Sequence, residues 1–348
     1  MNSSIKIAVL FFLQQTFSVF GTLRANTEVV YAESKNSIQE SFKFISDSLP
    51  NKINRIQTLP SFLSETSALC ETKDGIWSIN DSHNPSELIL LKRSAYYNWR
   101  DFGTPLLENH FVIFELGYEN HDWEALETDG EYLYIGDFGN NKGNRKNLRI
   151  IKVSADSLRN RMINWVANDI QRLTDKDESV KSKPSNVDNM LRIDCKTLIG
   201  EIINFTYASQ KEFSSRRLHN YDCEAMLINE KNILLLSKNW KNLKCNIYEI
   251  PKVPGHYSLE KIGSLNPKFL ITDATQAKEK IFFCGYGPSG KQYIGSVSKS
   301  DFKNCKRKKI DLKPAQVEGI HFDQVSNQFI ISTEARKSQL QALILIQN

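Results

Sequence analysis

Trp123-Glu124-Ala125-Leu126, followed after a turn by Tyr132-Leu133-Tyr134-Ile135-Gly136, joins an acidic residue inside one β-run to a second β-run rich in aromatic and branched residues. Such short runs, bounded by polar turns, read as strands. The same unit recurs along the chain. Glu65-Thr66-Ser67-Ala68-Leu69 precedes Gly75-Ile76-Trp77-Ser78-Ile79, and Cys223-Glu224-Ala225-Met226 precedes Ile233-Leu234-Leu235-Leu236-Ser237. A weaker copy, Thr272-Asp273-Ala274-Thr275, precedes Ile281-Phe282-Phe283-Cys284-Gly285, and Val317-Glu318-Gly319-Ile320 precedes Phe329-Ile330-Ile331-Ser332.

A third strand follows most copies: Glu87 to Leu91, Leu148 to Val153, Cys245 to Ile250, Tyr293 to Val297 and Gln341 to Ile346. The acidic residues recur at intervals of roughly 45 to 60 residues, with one interval of about 100, near the period of a propeller blade. The long interval holds a further strand pair around Leu198 to Tyr207 and an insertion. The spacing therefore predicts an all-β propeller of six blades, the sixth closed by N-terminal strand material near Ile53 to Thr58; five or seven blades fit the same pattern less well. Two stretches depart from it. Asn36 to Leu49 and Asp156 to Leu173 have apolar residues at helical spacing, giving a short N-terminal helix and one helical insertion over 155–190.

The first residues read as a targeting segment. Lys6 precedes the apolar run Ile7 to Leu13, and Leu23-Arg24-Ala25 offers a small-residue cleavage site, which describes a secretory signal over 1–25. The expected organisation is thus a signal at 1–25, a helix and closing strand at 26–59, and a propeller at 60–348. This predicts a monomer exported to the periplasm or cell surface, with no membrane span after signal removal. The six cysteines are widely spaced and form no CxxC. Buried thiols, with at most one bridge of unassigned pairing, are expected rather than a zinc site. The formal net charge of +5, from 45 Lys+Arg against 40 Asp+Glu, is too small and scattered for a nucleic-acid binder. The one dense basic run, Lys303 to Lys309, reads as a solvated strand or turn.

In a propeller, equivalent positions of the innermost strands converge on a central channel. Glu65, Glu124, Glu224, Asp273 and Glu318 would then form a carboxylate ring. Such carboxylates repel one another, so they must be protonated, paired or bound to a cation. Glu65, Glu124, Glu224 and Glu318 are the candidate ligands of a calcium ion, which favours hard oxygen donors. Asn80, Asp81, Asp137, Asn140 and Asn239 stand just past an inner or second strand as helpers, and Lys238 would neutralise the ring if it points inward. The alternative is structural: a repeated acid bonds the next blade's backbone N–H groups. His121 and Asp122 are a weaker acid–base candidate, since a lone His at a strand start more often packs. Asp137-Phe138-Gly139 lacks the other kinase motifs, and Gly285 to Gly290, although it fits GxGxxG, leads into a strand and reads as a hairpin turn.

Trp123-Glu124-Ala125-Leu126 through Gly136-Asp137-Phe138-Gly139-Asn140-Asn141-Lys142-Gly143-Asn144-Arg145 resembles a family of exported β-propeller proteins frequent in Bacteroidetes-type bacteria. Asn80-Asp81-Ser82, Asp222-Cys223-Glu224-Ala225, Lys238-Asn239-Trp240, Pro254-Gly255 and Val317-Glu318-Gly319-Ile320 extend the resemblance over residues 60–348. More distantly that family is similar to SdiA-regulated, phytase-esterase-like and calcium-dependent lactonase propellers. The resemblance implies six blades and export, and carries over no activity. His83 and Thr272-Asp273-Ala274-Thr275 depart from its pattern. The expected function is a binding or scaffolding module for a periplasmic or extracellular glycan, peptide or protein. The alternative is a calcium-dependent esterase or lactonase.

Overall fold

The computed structural model describes residues 49, 52–92, 111–174, 190–310, 312, 316–335 and 341–347. Strand β1 (Lys52–Thr58) pairs antiparallel with the last strand, β22 (Ala342–Gln347), so the two ends of the described chain share one sheet. The signal segment and the N-terminal helix expected before Leu49 lie outside the described residues.

The described residues form five sheets. Blade 1 comprises β2 (Thr66–Thr72), β3 (Gly75–Asn80), β4 (Glu87–Lys92) and β5 (Phe111–Leu116). Blade 2 comprises β6 (Trp123–Thr128), β7 (Tyr132–Asp137), β8 (Leu148–Ser154) and, after helix α1 (Ala155–Thr174) and β9 (Met190–Cys195), β10 (Glu201–Tyr207). Blade 3 holds β11 (Cys223–Ile228), β12 (Asn232–Ser237), β13 (Cys245–Pro251) and, beyond β14 (Gly255–Leu259), β15 (Lys261–Leu265). Blade 4 runs β16 (Leu270–Ala277), β17 (Lys280–Tyr286), β18 (Gln292–Ser298) and β19 (Lys306–Ile310). Blade 5 is β20 (Gln316–Asp323), β21 (Gln328–Glu334), β22 and β1. The inner strands close a ring: β2 packs on β6, β6 on β11, β11 on β16, β16 on β20, and β20 on β2.

The propeller therefore has five blades, which corrects the expected six. The interval of about 100 residues holds one blade with a long connection between its third and fourth strands, not two. Its extra strand, β9, leaves blade 2 and pairs parallel with β5 on the outer edge of blade 1. Blade 3 repeats the device: β14 pairs parallel with β10 of blade 2. A strand-rich interval looks like a blade in sequence, but nothing local records which sheet a strand joins. The N-terminal strand closes blade 5.

Each sheet buries both faces against its neighbours, so inner and second strands read as continuous apolar runs. β3 and β11 are buried at every residue. Between blades 1 and 2, Trp77, Phe114, Trp123, Leu133 and Ile135 pack together, and between blades 4 and 5 Phe282, Phe322 and Phe329 form an aromatic cluster. Each such side chain contributes about 1.5–3 kcal/mol on full burial. All six cysteines are free thiols, five of them buried. The Gly285 to Gly290 stretch ends β17 and turns the hairpin into β18, with Gly290 at φ 73.

Candidate functional site

Every inner strand carries a β-bulge near its start. The register shifts between Thr66 and Ala68, Trp123 and Ala125, Cys223 and Ala225, Ile271 and Asp273, and Val317 and Gly319. A bulge places one extra residue on one strand and re-aims its side chain. The five extra residues, equivalent by register, are Ser67, Glu124, Glu224, Thr272 and Glu318. The ring of equivalents thus holds three carboxylates and two hydroxyls. Glu65 lies two residues before its bulge and Asp273 one residue after.

The two hydroxyls fasten blades. Ser67 Oγ donates to the carbonyl of Trp123 at 2.9 Å, and Thr272 Oγ1 donates to the carbonyl of Val317 at 2.8 Å. In both cases the acceptor immediately precedes the next blade's bulge residue. Asp273, 1% exposed, accepts from Ala274 N and, across to blade 5, from Ile320 N, each at 2.8 Å. It is a fastening and does not line the cavity described next.

At the bulged end of the channel lies a cavity of about 220 Å³ lined by Glu65, Asp81, Glu124, Glu224, Glu318 and Glu334, with Lys238, Trp240 and Tyr286. Asp81, Lys238, Tyr286 and Glu334 share one origin, each standing at or just past the end of its blade's second strand. The backbone bonds Asp81 N to Glu65 O and Lys238 N to Asp222 O mark the position. In blade 2 the corresponding bond runs from Gly139 N to Asp122 O. Phe138 is an added residue there, turned into the core and fully buried.

Gly139 has no side chain where the other blades project one, and Asp122 fills the space. A β-carbon on Gly139 would lie 2.5 Å from Asp122 Cγ and 2.7 Å from Glu124 Cγ. As a result Asp81, Asp122 and Glu124 each offer a carboxylate oxygen, all within 4.8 Å of one another. Burial, followed by the charges of Asp81 and Asp222, raises the Asp122 carboxyl to about 7, with Arg145 opposing. Burial and then Asp81, Glu224 and Asp122 push Glu124 well above the usual carboxylate range. Glu318 rises to about 8, chiefly through burial, with Lys238 opposing and Glu334 adding. Glu124 is 4% exposed, and no hydrogen-bond donor among the described residues reaches its carboxylate.

Lys238 does point inward. Its Nζ lies 2.6 Å from Glu224 Oε2 and 5.1 Å from the centre of the Trp240 ring. Burial works against its charge, yet Glu224 and its neighbours hold the ammonium well above its ordinary value. One lysine thus faces Glu224, while Gln316 of the cavity wall donates through its amide to Glu318 and Asn84 donates to Glu65. Among the described residues, Glu224 Oε1, on a residue 1% exposed, has no hydrogen-bond partner.

The remaining predicted helpers stand outside the cavity lining. Asp137 is fully buried and salt-bridged by Arg145 at 2.9 Å and Arg149 at 2.8 Å, with His121 Nδ1 at 3.3 Å. His121 therefore belongs to this network. Asn140 receives Arg145 N and donates through its own N–H to Asp222 Oδ1, tying the blade 2 loop to blade 3. Asn80 donates to the Phe62 carbonyl, and Asn239 accepts from Ser237 Oγ. Sequence reasoning missed Tyr286, Trp240, Gln316 and Glu334. Taking the residue one or two beyond the β-run of each second strand would have found Tyr286 and Glu334, as it found Lys238 and Asp81.

No family model and no curated protein matches the chain. Solved structures of β-propeller type are similar to it. A chain of a mitotic checkpoint complex matches 87% of this chain and 94% of its own length, at 9% identity and a TM-score of 0.40. The PQQ-bound aldose sugar dehydrogenase from Streptomyces coelicolor matches over 86% of this chain and 99% of its own, at 8% identity and a TM-score of 0.40. Among the described residues no helix is long and apolar enough to cross a membrane.

Proposed function

We propose that the chain is an exported binding propeller whose channel mouth holds a divalent cation, calcium by the chemistry of its donors, and presents it to an oxygen-bearing group of a glycan, peptide or protein. The observation that carries this reading is the convergence of Asp81, Asp122 and Glu124 from two blades. Three hard carboxylate donors this close repel one another in a partly buried site, and a doubly charged cation offsets that repulsion. Gly139 fits the same reading, because a side chain there would close the space that the Asp122 carboxylate occupies. Glu224 and Glu318 adjoin these donors, with Lys238 setting the charge of that side of the cavity.

A cavity of about 220 Å³ is smaller than the roughly 300–1,000 Å³ of pockets that engulf drug-sized ligands. It suits an ion with its waters and one inserted functional group, flanked by Trp240 and Tyr286, while the rest of the partner stays outside. That is the geometry of a binding module. Export rests on the N-terminal apolar run before Asn26.

A calcium-dependent esterase or lactonase is the second reading, favoured by Glu318, which holds a proton near neutral pH in the same cavity. Calcium would supply polarisation of a carbonyl there. The chain's own residues would supply the proton from Glu318 and the oriented wall formed by Lys238 and Tyr286. Thermal melts with excess chelator and with millimolar calcium test both readings, since a ligand of the folded form raises the melting point with its concentration. An unchanged melt removes both. A calcium-dependent rise followed by turnover of ester or lactone substrates moves the assignment to the enzyme.

A further inference from the structure

The cavity at the channel mouth is unbalanced in two ways, and both constrain what can enter it. The first is charge. Among the described residues lining it, Glu65, Asp81, Glu124, Glu224 and Glu318 face a single ammonium, that of Lys238. With a divalent ion added, these carboxylates still outnumber the positive charges. An entering carboxylate or phosphate would therefore meet like charge in a partly buried site.

The second imbalance is in hydrogen bonding. The Lys238 ammonium lies against Glu224 Oε2, the side-chain amide of Gln316 donates to Glu318, and Asn84 donates to Glu65. Two buried acceptors then remain without a donor among the described residues. They are Glu224 Oε1, on a residue 1% exposed, and Gln316 Oε1. Buried acceptors left unpaired are costly, so this wall favours a ligand that brings protons to it.

The ion, by contrast, needs oxygen lone pairs. An ammonium supplies protons and no lone pair, and a carboxylate supplies lone pairs and no proton. A trans peptide unit has both, but its C=O and N–H point in opposite directions. A hydroxyl carries both on one atom, so neighbouring hydroxyls can ligate the ion and donate to the wall together. Trp240 adds a flat apolar surface. Its indole N–H donates to Asp222 Oδ2 at 2.7 Å, and Lys238 Nζ lies over its ring at 5.1 Å. Asp222 is itself fully buried and also accepts from Asn140 N, so the ring is fixed in the cavity wall beside Tyr286. A sugar ring, with hydroxyls at its edge and C–H groups on its faces, matches this pairing of polar wall and aromatic plate.

We infer that the channel mouth recognises a vicinal diol of a neutral sugar, its hydroxyls shared between the ion, Glu224 Oε1 and Gln316 Oε1, with Trp240 against the ring. The inference rests on the cation reading of the site and narrows its ligand to a neutral glycan.

The test is calorimetric titration of the full chain with the methyl glycosides of mannose, galactose and fucose, each of which carries a cis vicinal diol. At least one is expected to bind saturably in millimolar calcium and to weaken by about tenfold or more in chelator. In the unaltered protein, removing one hydroxyl of the diol from that glycoside should cost a similar factor or more, because a site built to bond a hydroxyl rejects the analogue that lacks it. Trp240→Ala should abolish binding, Trp240→Phe, which keeps a ring without the N–H, should restore most of it, and Trp165→Ala, on α1, should leave it unchanged. A calcium-dependent melt with no binding of any of the three glycosides overturns this inference and leaves the cation site standing, whereas a melt unchanged by calcium removes both. Binding undiminished in chelator also overturns it, as does tighter binding of methyl galacturonoside than of methyl galactoside.

Discussion

Gly139 stands where a β-carbon would lie 2.5 Å from Cγ of Asp122. The two residues belong to adjacent strands' ends within blade 2, joined by the hydrogen bond from Gly139 N to Asp122 O. A glycine at this one blade position lets a third carboxylate join Asp81 and Glu124, where the other blades project Asp81, Lys238, Tyr286 and Glu334. The Asp137-Phe138-Gly139 run thereby has a local account: Asp137 anchors two arginines, Phe138 fills the core, and Gly139 opens the site.

Gly139→Ala should therefore destabilise the protein by about 1–3 kcal/mol through overpacking, and should also remove any calcium-dependent gain in melting temperature. Paired melts with chelator and with calcium check it. A variant that keeps the full calcium response would show that the space beside Asp122 is not needed for the ion.

Glu124→Gln should act in the opposite direction on the cation-free protein. Glu124 has no donor to lose among the described residues, and its charge is opposed by Asp81, Glu224 and Asp122. Neutralising it should raise the melting point in chelator by about 2–4 °C for each kcal/mol of repulsion relieved. The calcium response should disappear at the same time. A lower melting point in chelator would mean that the carboxylate fastens blades instead.

The pH dependence follows from raised carboxyls. Asp122 titrates at about 7 and Glu318 at about 8 in the fold, against ordinary values of 3.8 and 4.5. The folded state therefore binds protons more tightly than the unfolded chain. Their contribution to stability is complete below about pH 4 and is lost as pH rises through 7 to 8. Glu127, raised by burial to about 8, adds in the same sense. Melts in chelator should accordingly fall between pH 5 and 8, whereas the gain on adding calcium should grow over that window, because the ion competes with protons for the same oxygens. Equal calcium gains at pH 5.5 and pH 8 would count against these carboxylates as the ligands.

Asp273→Ala tests the structural role of the acid that leaves the ring. Its removal orphans the N–H groups of Ala274 and Ile320. A loss of about 1–3 kcal/mol is expected for each buried donor left unpaired, with the calcium response retained in whatever folded protein remains. Urea titrations with and without calcium separate the two effects. Loss of the calcium response at unchanged stability would return Asp273 to the ion site.

The chain by itself determined the propeller class, the inner strands and the acidic character of the channel mouth. Those features are written locally: a β-run of buried residues is continuous whichever blade it belongs to, and Glu124, Glu224 and Glu318 recur in the same short context. Even Asp81 and Lys238 were legible, because they follow a strand directly. Blade number was not, since β9 and β14 leave their own blades to pair in parallel with β5 and β10, and no local preference encodes a partner distant in sequence. Nor was the true ring legible, because a bulge shifts register by one residue and exchanges which side chain faces the channel. That register put Ser67 and Thr272 at the positions equivalent to Glu124, Glu224 and Glu318 and made Asp273 a blade fastening, while Glu65, two residues before its bulge, still lines the cavity. The convergence of Asp81 with Asp122 and Glu124 was decided only by the packing of blade 1 against blade 2, which sets distances between residues that the sequence leaves some forty positions apart.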